Sequence, residues 1–383
     1  MTAKKCLMHI GMPKTGSSSI QQTLFYRLQD RRYQYLSFGD VSSDNGLLTL
    51  FDLSAKSSWF VKDQGWSLEK LRRLKAKYHK KLQRANKKVR QNNKSLILSG
   101  ETVWRLEPED ITQMRDSLVQ QKLRPVIIAY LRPPADWLGS YFQQLIKQLE
   151  VTDLQTFLTT IEEHHSLDFA SKIRTFDNLF GRENVQIHLF DPKTFPKGCV
   201  VRHFLAKQEI ELDPNSVIHV NESLSFPAIQ MLFSWLQLMP TQMKGRIDRI
   251  RRFMLISRMG RLPGKRICLS ENAIADHLEI FEKQRPWLEQ RLGRSIPNSV
   301  QNRSNQKEIN DDRDLFRFSE ESLNWLCRES NSPPIRTLHG KQAAQQVAER
   351  VDRLFRRPDP TSFTSWASEE LGKHRKKLFN PIC

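Results

Sequence analysis

The stretch His9-Ile10-Gly11-Met12-Pro13-Lys14-Thr15-Gly16-Ser17-Ser18-Ser19 gathers residue types suited to holding an anion. An apolar run ends at Gly11 and a helical pattern starts after Gly16, so the residues between them form a glycine-bounded turn from strand to helix. In such a turn backbone N–H groups and the helix dipole converge on one point, where negative charge is stabilised. Lys14 adds a full positive charge, while Thr15, Ser17, Ser18 and Ser19 add hydroxyls. The spacing from Gly11 to Gly16 equals that of a Walker-type loop, yet Ser17 and Ser18 stand where a nucleotide hydrolase needs Lys and Ser or Thr. The lysine lies inside the loop instead. No apolar run ends in an aspartate fit for magnesium, and the fourth such run ends in Arg132. The loop therefore suits a metal-free anion better than a magnesium-bound triphosphate, and no metal is expected.

The segment Pro13-Lys14-Thr15-Gly16-Ser17-Ser18-Ser19 resembles the 5′-phosphosulfate loop of the sulfotransferase family, usually PKTGTTS or PKSGTTW, with serines here in place of threonines. The segment Tyr130-Leu131-Arg132-Pro133-Pro134-Ala135-Asp136-Trp137-Leu138-Gly139-Ser140-Tyr141 is similar to the family's 3′-phosphate motif, in which a strand ends in Arg and the following helix carries Ser eight residues later. Pro133 and Trp137 depart from the more usual Asn and Arg, at positions the clamp does not need. The resemblance implies a donor, 3′-phosphoadenosine 5′-phosphosulfate, whose 5′ end lies on Pro13–Ser19 and whose 3′-phosphate is held by Arg132 and Ser140 through charge-assisted hydrogen bonds. It further implies a base after the strand between the two motifs. There Ser95–Ser99 leads into Gly100-Glu101-Thr102, making Glu101 the candidate base and Lys14 the charge at the departing phosphate. The bland reading of Glu101 is a capping residue or a partner of Arg105, with Glu107, Glu109 or a histidine next in line as the base. The resemblance covers Lys4–Ser225, including Asn221-Glu222-Ser223-Leu224-Ser225, to which no role attaches. The implied reaction is sulfuryl transfer to a hydroxyl or amine, with sugar, lipid, peptide and phenol acceptors all open.

Five strand-like runs position these residues: Lys4–Ile10, Tyr33–Phe38, Ser95–Ser99, Pro125–Leu131 and Val185–Phe190. The third and fourth are near-continuous apolar runs with helical patterns between them, as in a parallel sheet buried on both faces. The expected fold is α/β, a P-loop-like three-layer α/β/α with a central parallel sheet and a helical C-terminal extension. The catalytic core is placed at 1–235 and a basic helical extension at 236–383, with basic helices, a polar loop at Asn298–Asp314 and two further helical patterns. Leu68, Leu71, Leu74, Tyr78, Leu82, Ala85 and Val89 recur at helical spacing, so the basic segment 67–94 reads as an amphipathic helix inserted between the second and third strands.

The chain has 383 residues and a formal net charge of +19, which points to an anionic partner. Ser67–Lys94 holds twelve Lys and Arg against one acid, Glu69, enough to supply over half of that excess. Such a run is commonly a solvated face, and the alternative is a surface for an anionic acceptor or partner. Arg246–Arg266 forms a second basic cluster with the same two readings. A non-catalytic polyanion- or nucleic-acid-binding protein on the same fold, or a nucleotide kinase, are the competing functions. Aromatic stacking motifs for nucleic acid are absent and the loop lysine is displaced, so both rank below transfer. His9 lies in an apolar run and reads as a core histidine, and His164 and His165 read as helix-end surface residues. The five cysteines have no CxxC spacing, no run is long and apolar enough to span a membrane, and the N-terminus carries no export signal pattern, so a soluble, cytoplasmic chain is expected.

Overall fold

The computed structural model describes residues 3–51, 66–150, 153–164, 166–220, 223–239 and 245–356. In chain order its first part forms β1 (Lys4–His9), α1 (Ser17–Arg27), β2 (Tyr33–Tyr35), α2 (Asp44–Phe51), α3 (Leu68–Gln91), β3 (Ser95–Ser99), α4 (Pro108–Gln120) and β4 (Leu123–Leu131). Next come α5 (Pro134–Gln148), α6 (Leu154–Glu163), α7 (Phe169–Phe180), β5 (Val185–Leu189) and α8 (Val200–Lys207). The remainder is α9 (Phe226–Leu238), α10 (Gly245–Met259), β6 (Arg266–Leu269), α11 (Ala275–Glu282), α12 (Arg285–Leu292), β7 (Gln306–Ile309), α13 (Glu320–Glu329) and α14 (Gly340–Arg356).

Two compact units divide these elements. The first, built from residues 1–133, 168–221 and 283–300, contains a five-stranded parallel sheet in the order β2-β3-β1-β4-β5. β1 sits at the centre, with Met8 level with Leu98 of β3 and Ile127 of β4. Side chains alternate across a strand, so Val126, Ile128 and Tyr130 join Leu7 and Ile97 on the face covered by α1 and α8, where Ile20, Leu24, Val201 and Phe204 close the layer. The intervening Ile127, Ala129 and Leu131 are equally buried on the other face, against which α4 and α7 pack. This is the expected three-layer α/β/α arrangement. β1 is followed in the sheet by β3 and β2 on one side and by β4 on the other, so the loop after β1 leaves the sheet where the winding reverses, a favoured place for ligands.

The second unit comprises residues 134–167, 222–282 and 301–383. Its core pairs α9 with α14, where the Trp235 ring lies 4.8 Å from that of Phe355 and Trp235 Nε1 donates to Asp352 Oδ1 at 3.4 Å. The compact units thus do not follow a single cut at residue 235. Nor is the C-terminal part only helical, because β6 and β7 form a second, two-stranded parallel sheet and β7 falls inside the expected polar loop. The basic segment is a helix, α3, between β2 and β3, with Leu71, Leu82, Ala85 and Val89 buried.

Candidate functional site

Three loops meet at the carboxyl ends of β1, β3 and β4. Gly100 N donates to His9 O at 2.9 Å, Tyr130 N to Gly11 O at 2.7 Å and Met12 N to Tyr130 O at 3.2 Å, so the residues after the three strands lie side by side. Gly11 has φ 97°, and a Cβ there would stand 3.2 Å from Glu101 Cβ and 3.4 Å from its Cα. The glycine is what lets Glu101 close on the loop. Thr15 is fully buried, its hydroxyl donating to Met12 O at 2.6 Å and drawing the turn tight between Lys14 at φ 71° and Gly16 at φ 80°.

Helix α1 starts from Gly16 with no side-chain cap and no acidic residue in its first turn. The leading N–H groups of a helix have no intrahelical acceptor, and here no side chain supplies one. Ser17 Oγ is buried and finds no partner at good hydrogen-bond geometry, although it lies near enough to Glu101 to favour that carboxylate's charged form. Ser18 is half-buried. Ser19 has a different occupation, accepting from Val220 N at 3.1 Å, while Thr23 Oγ1 one turn later accepts from Ile218 N at 3.0 Å. These two hydroxyls fasten the extended segment 218–220 along α1. Pro13 is buried in the loop's first half.

Arg132 follows β4 and is nearly buried, its Nη1 donating to the Lys14 carbonyl at 2.6 Å and its guanidinium lying 5.4 Å from the Phe190 ring centre. Glu101 opens the short 3-10 turn Glu101–Arg105. Burial raises its pKa first, and the charge of Asp44 raises it further, against the lowering influence of Arg105, Lys14 and Ser17. The structure therefore brings Lys14, Glu101 and Arg132 together around the turn. Ser140 stands half-buried on α5.

Asp44 escaped the reading of the sequence. As the first residue of α2, it accepts from Thr102 N at 2.8 Å and from Thr102 Oγ1 at 2.9 Å, and a Cβ on Gly100 would lie 3.0 Å from its Oδ1. It caps the 3-10 turn from a distant part of the chain and sets a second carboxylate beside Glu101. Its own pKa is raised by burial and, less, by Asp40, while the Thr102 and Ser42 bonds hold it down. The signal that could have found it is topological: the segment that leaves the carboxyl end of β2 and leads into α2 starts on the same rim as the one that leaves β3. Glu107 caps α4 reciprocally with Asp110. His9 Nδ1 bonds to Ser99 Oγ at 2.8 Å, and burial pushes the ring's pKa down to about 3, so it is a neutral core residue.

Among the described residues no group of three His, Cys, Asp or Glu side chains could hold a metal ion, and no helix is long and apolar enough to cross a membrane. No protein-family model and no curated protein matches the chain. One solved structure, a sulfotransferase from Alicyclobacillus acidocaldarius, aligns with 77% of this chain and 98% of its own at a TM-score of 0.41 and 14% sequence identity.

Proposed function

We propose that the chain is a sulfotransferase that moves a sulfuryl group from 3′-phosphoadenosine 5′-phosphosulfate to an acceptor hydroxyl or amine. The observation that carries this reading is the meeting of an uncapped helix N-terminus, Lys14 and a proton-retentive Glu101 around one turn, with Arg132 bonded to the turn's own backbone. The residues fit such a donor. The uncapped N–H groups and the Ser17 hydroxyl can face its 5′ oxygens, and the Arg132 guanidinium can pair with the 3′-phosphate.

The donor, when bound, supplies the activated sulfuryl group. Glu101 takes the proton from the acceptor as its oxygen or nitrogen bonds to sulfur, and its raised pKa brings it closer to neutral pH, where a general base works best. Lys14 and the N–H groups of α1 stabilise the negative charge left on the phosphate when its bond to sulfur breaks. Ser17 and Ser18 are the hydroxyls left to contact the donor directly, because Thr15 and Ser19 already serve the loop and the 218–220 segment.

Calorimetric titration with 3′-phosphoadenosine 5′-phosphate, its analogue lacking the 3′-phosphate, and ATP tests the reading. Wild-type protein should prefer the 3′-phosphorylated ligand. Arg132→Ala should weaken that ligand by about 1.5–3 kcal/mol more than the analogue, the usual loss for a charge-assisted pair. Equal losses for both ligands, or tighter binding of ATP, would overturn it.

A further inference from the structure

A surface helix ordinarily turns its apolar residues inward and its charges out. Helix α10 of the second unit reverses this order. At about 100° per residue, Arg251, Arg252, Met254, Leu255, Arg258 and Met259 share one side. Met254, Leu255 and Met259 are buried there, and α14 packs against the helix. The arginines of that side are held within the unit. Arg258, 8% exposed, pairs through Nε with Glu329 Oε2 at 3.6 Å. Arg252 Nη1 donates to Gln148 O at 3.2 Å, and Arg251 Nη1 donates to Asp248 Oδ1 at 3.4 Å.

The opposite side carries Ile250, Phe253 and Ile256, which with Ile247 recur at every third residue and wind a band about 14 Å long over the helix surface. Ile247 is 65% exposed and Phe253 39%, while Ile250 and Ile256 are half-buried. Single exposed apolar residues are ordinary on a protein surface. Only four large ones are exposed among the described residues, however, and two of them stand on this one helix. Arg249 is exposed on the same side, and Arg261, Lys265 and Arg266 are exposed just beyond the helix end. Asp248 is the sole acid between Gly245 and Arg266, and it lies on the packed side with Arg251.

We propose that this bare side of α10 lies on the surface of an anionic lipid bilayer, with Ile247, Ile250, Phe253 and Ile256 entering the headgroup region and Arg249, Arg261 and Arg266 among the lipid phosphates. A helix lying in such an interface combines burial of apolar side chains with attraction to anionic lipids, and α10 offers both. A soluble polyanion answers the cations alone and leaves the isoleucines and Phe253 in water. A second copy of the chain answers the apolar band alone, because a two-fold contact brings the same cations of both copies together on chains that already carry +19 each. A protein groove that takes a helix closes around much of it, whereas α10 has one side packed and one side bare, which suits a flat surface. Attachment of this kind needs no membrane-crossing helix and does not rest on sulfuryl transfer.

Co-sedimentation of the full chain with vesicles tests the assignment, one set made of phosphatidylcholine alone and one carrying about a third phosphatidylglycerol, at about 50 mM and about 200 mM salt. The chain should bind the anionic vesicles about tenfold tighter than the neutral ones, and less tightly at the higher salt. Ile247→Ser combined with Phe253→Ser should weaken binding to anionic vesicles by about tenfold or more, since two apolar side chains are lost, and should leave binding of polyglutamate unchanged. Ile247→Ser alone, at the most exposed of the four positions, should give a several-fold loss and stands in if the double variant is unstable. Phe253→Trp should bind as tightly as wild type or tighter, because an indole suits the headgroup region. Arg249→Ala, Arg261→Ala and Arg266→Ala together should bring anionic and neutral vesicles within a few-fold of each other. An unshifted melting temperature shows that the variants are folded. Absence of binding to anionic vesicles by the wild-type chain would overturn the proposal. Full vesicle affinity in the serine variants would overturn it too, by tracing attachment to charge such as that of α3. A lipid-free dimer that the serine replacements abolish would give the face to a second copy instead.

Discussion

Glu101 and Asp44 are two carboxylates whose surroundings disfavour their charge, Glu101 through burial and then through Asp44 itself. A raised pKa in the folded state means that the native protein binds protons more readily than the unfolded chain. Stability contributed by these groups is therefore present at low pH and falls as pH rises from the ordinary carboxylate range through the folded pKa values. Glu101→Gln removes one such charge. If Glu101 is the base, the variant should melt at or above the wild-type temperature at neutral pH while turnover falls about 10²–10⁴-fold with donor affinity nearly unchanged. A lower melting temperature with turnover scaling to the folded fraction would instead mark a capping residue. Asp44→Asn separates the partner's role, since the amide oxygen still accepts from Thr102 but the negative charge is gone. Arg105 and Lys14, which already favour ionised Glu101, are then opposed by burial alone. The acid limb of kcat/KM should move to lower pH, and a limb that stays in place would uncouple the two carboxylates.

At the scale of elements, the site is a set of loop ends held in register by one parallel sheet, and the close approach at Gly11 joins two of them. Gly11→Ala places a Cβ about 3.1–3.4 Å from Pro13 N and Glu101 at φ 97°. The expected result is a loss of about 1–3 kcal/mol in stability with a larger proportional loss in turnover than in donor affinity, because Glu101 moves more than α1 does. Denaturant titration and steady-state kinetics on one preparation check it, and wild-type turnover in that variant would show that the contact does not position Glu101. These elements were legible in the sequence to unequal degrees. β3 and β4 announced themselves as apolar runs because strands buried on both faces have no polar alternation. The Pro13–Ser19 turn was legible because its glycines and hydroxyls are contiguous. β6 and β7 were not, being four residues each, with mixed polar content and a partner some forty positions away in sequence. Asp44 was hidden for the same reason: its bond to Thr102 crosses 58 positions, and nothing in Asp44-Asn45-Gly46 differs locally from an ordinary helix start. Ser19 looked like one more phosphate hydroxyl because its partner, Val220, arrives from 201 positions away.

At the scale of the whole molecule, the two compact units are interleaved along the chain, and residues 283–300 return to the unit that holds the sheet. That return is bound by specific chemistry. Arg291 of α12 donates from Nε and Nη2 to the two carboxylate oxygens of Asp177, each at 2.7 Å, and from Nη2 to Val185 O at 2.8 Å, with both side chains little exposed. Leu288 on the same helix is completely buried. A charge left in such a place without its partner typically costs about 3–5 kcal/mol, a large share of the 5–15 kcal/mol by which a domain is stable. Residues 1–235 alone carry the Lys14 turn, Glu101 and Arg132 but leave Asp177 unpaired and the seat of Leu288 empty. That fragment is expected to show no cooperative thermal transition by calorimetry and to bind 3′-phosphoadenosine 5′-phosphate at least tenfold more weakly than the full chain, because ligand binding must then also meet the deficit in folding. Arg291→Ala in the full chain should reproduce part of the effect, lowering the melting temperature by several degrees while leaving the preference for the 3′-phosphorylated nucleotide intact. A cooperative fragment melting within a few degrees of the full chain would mean that α12 is an ornament on a sheet complete without it.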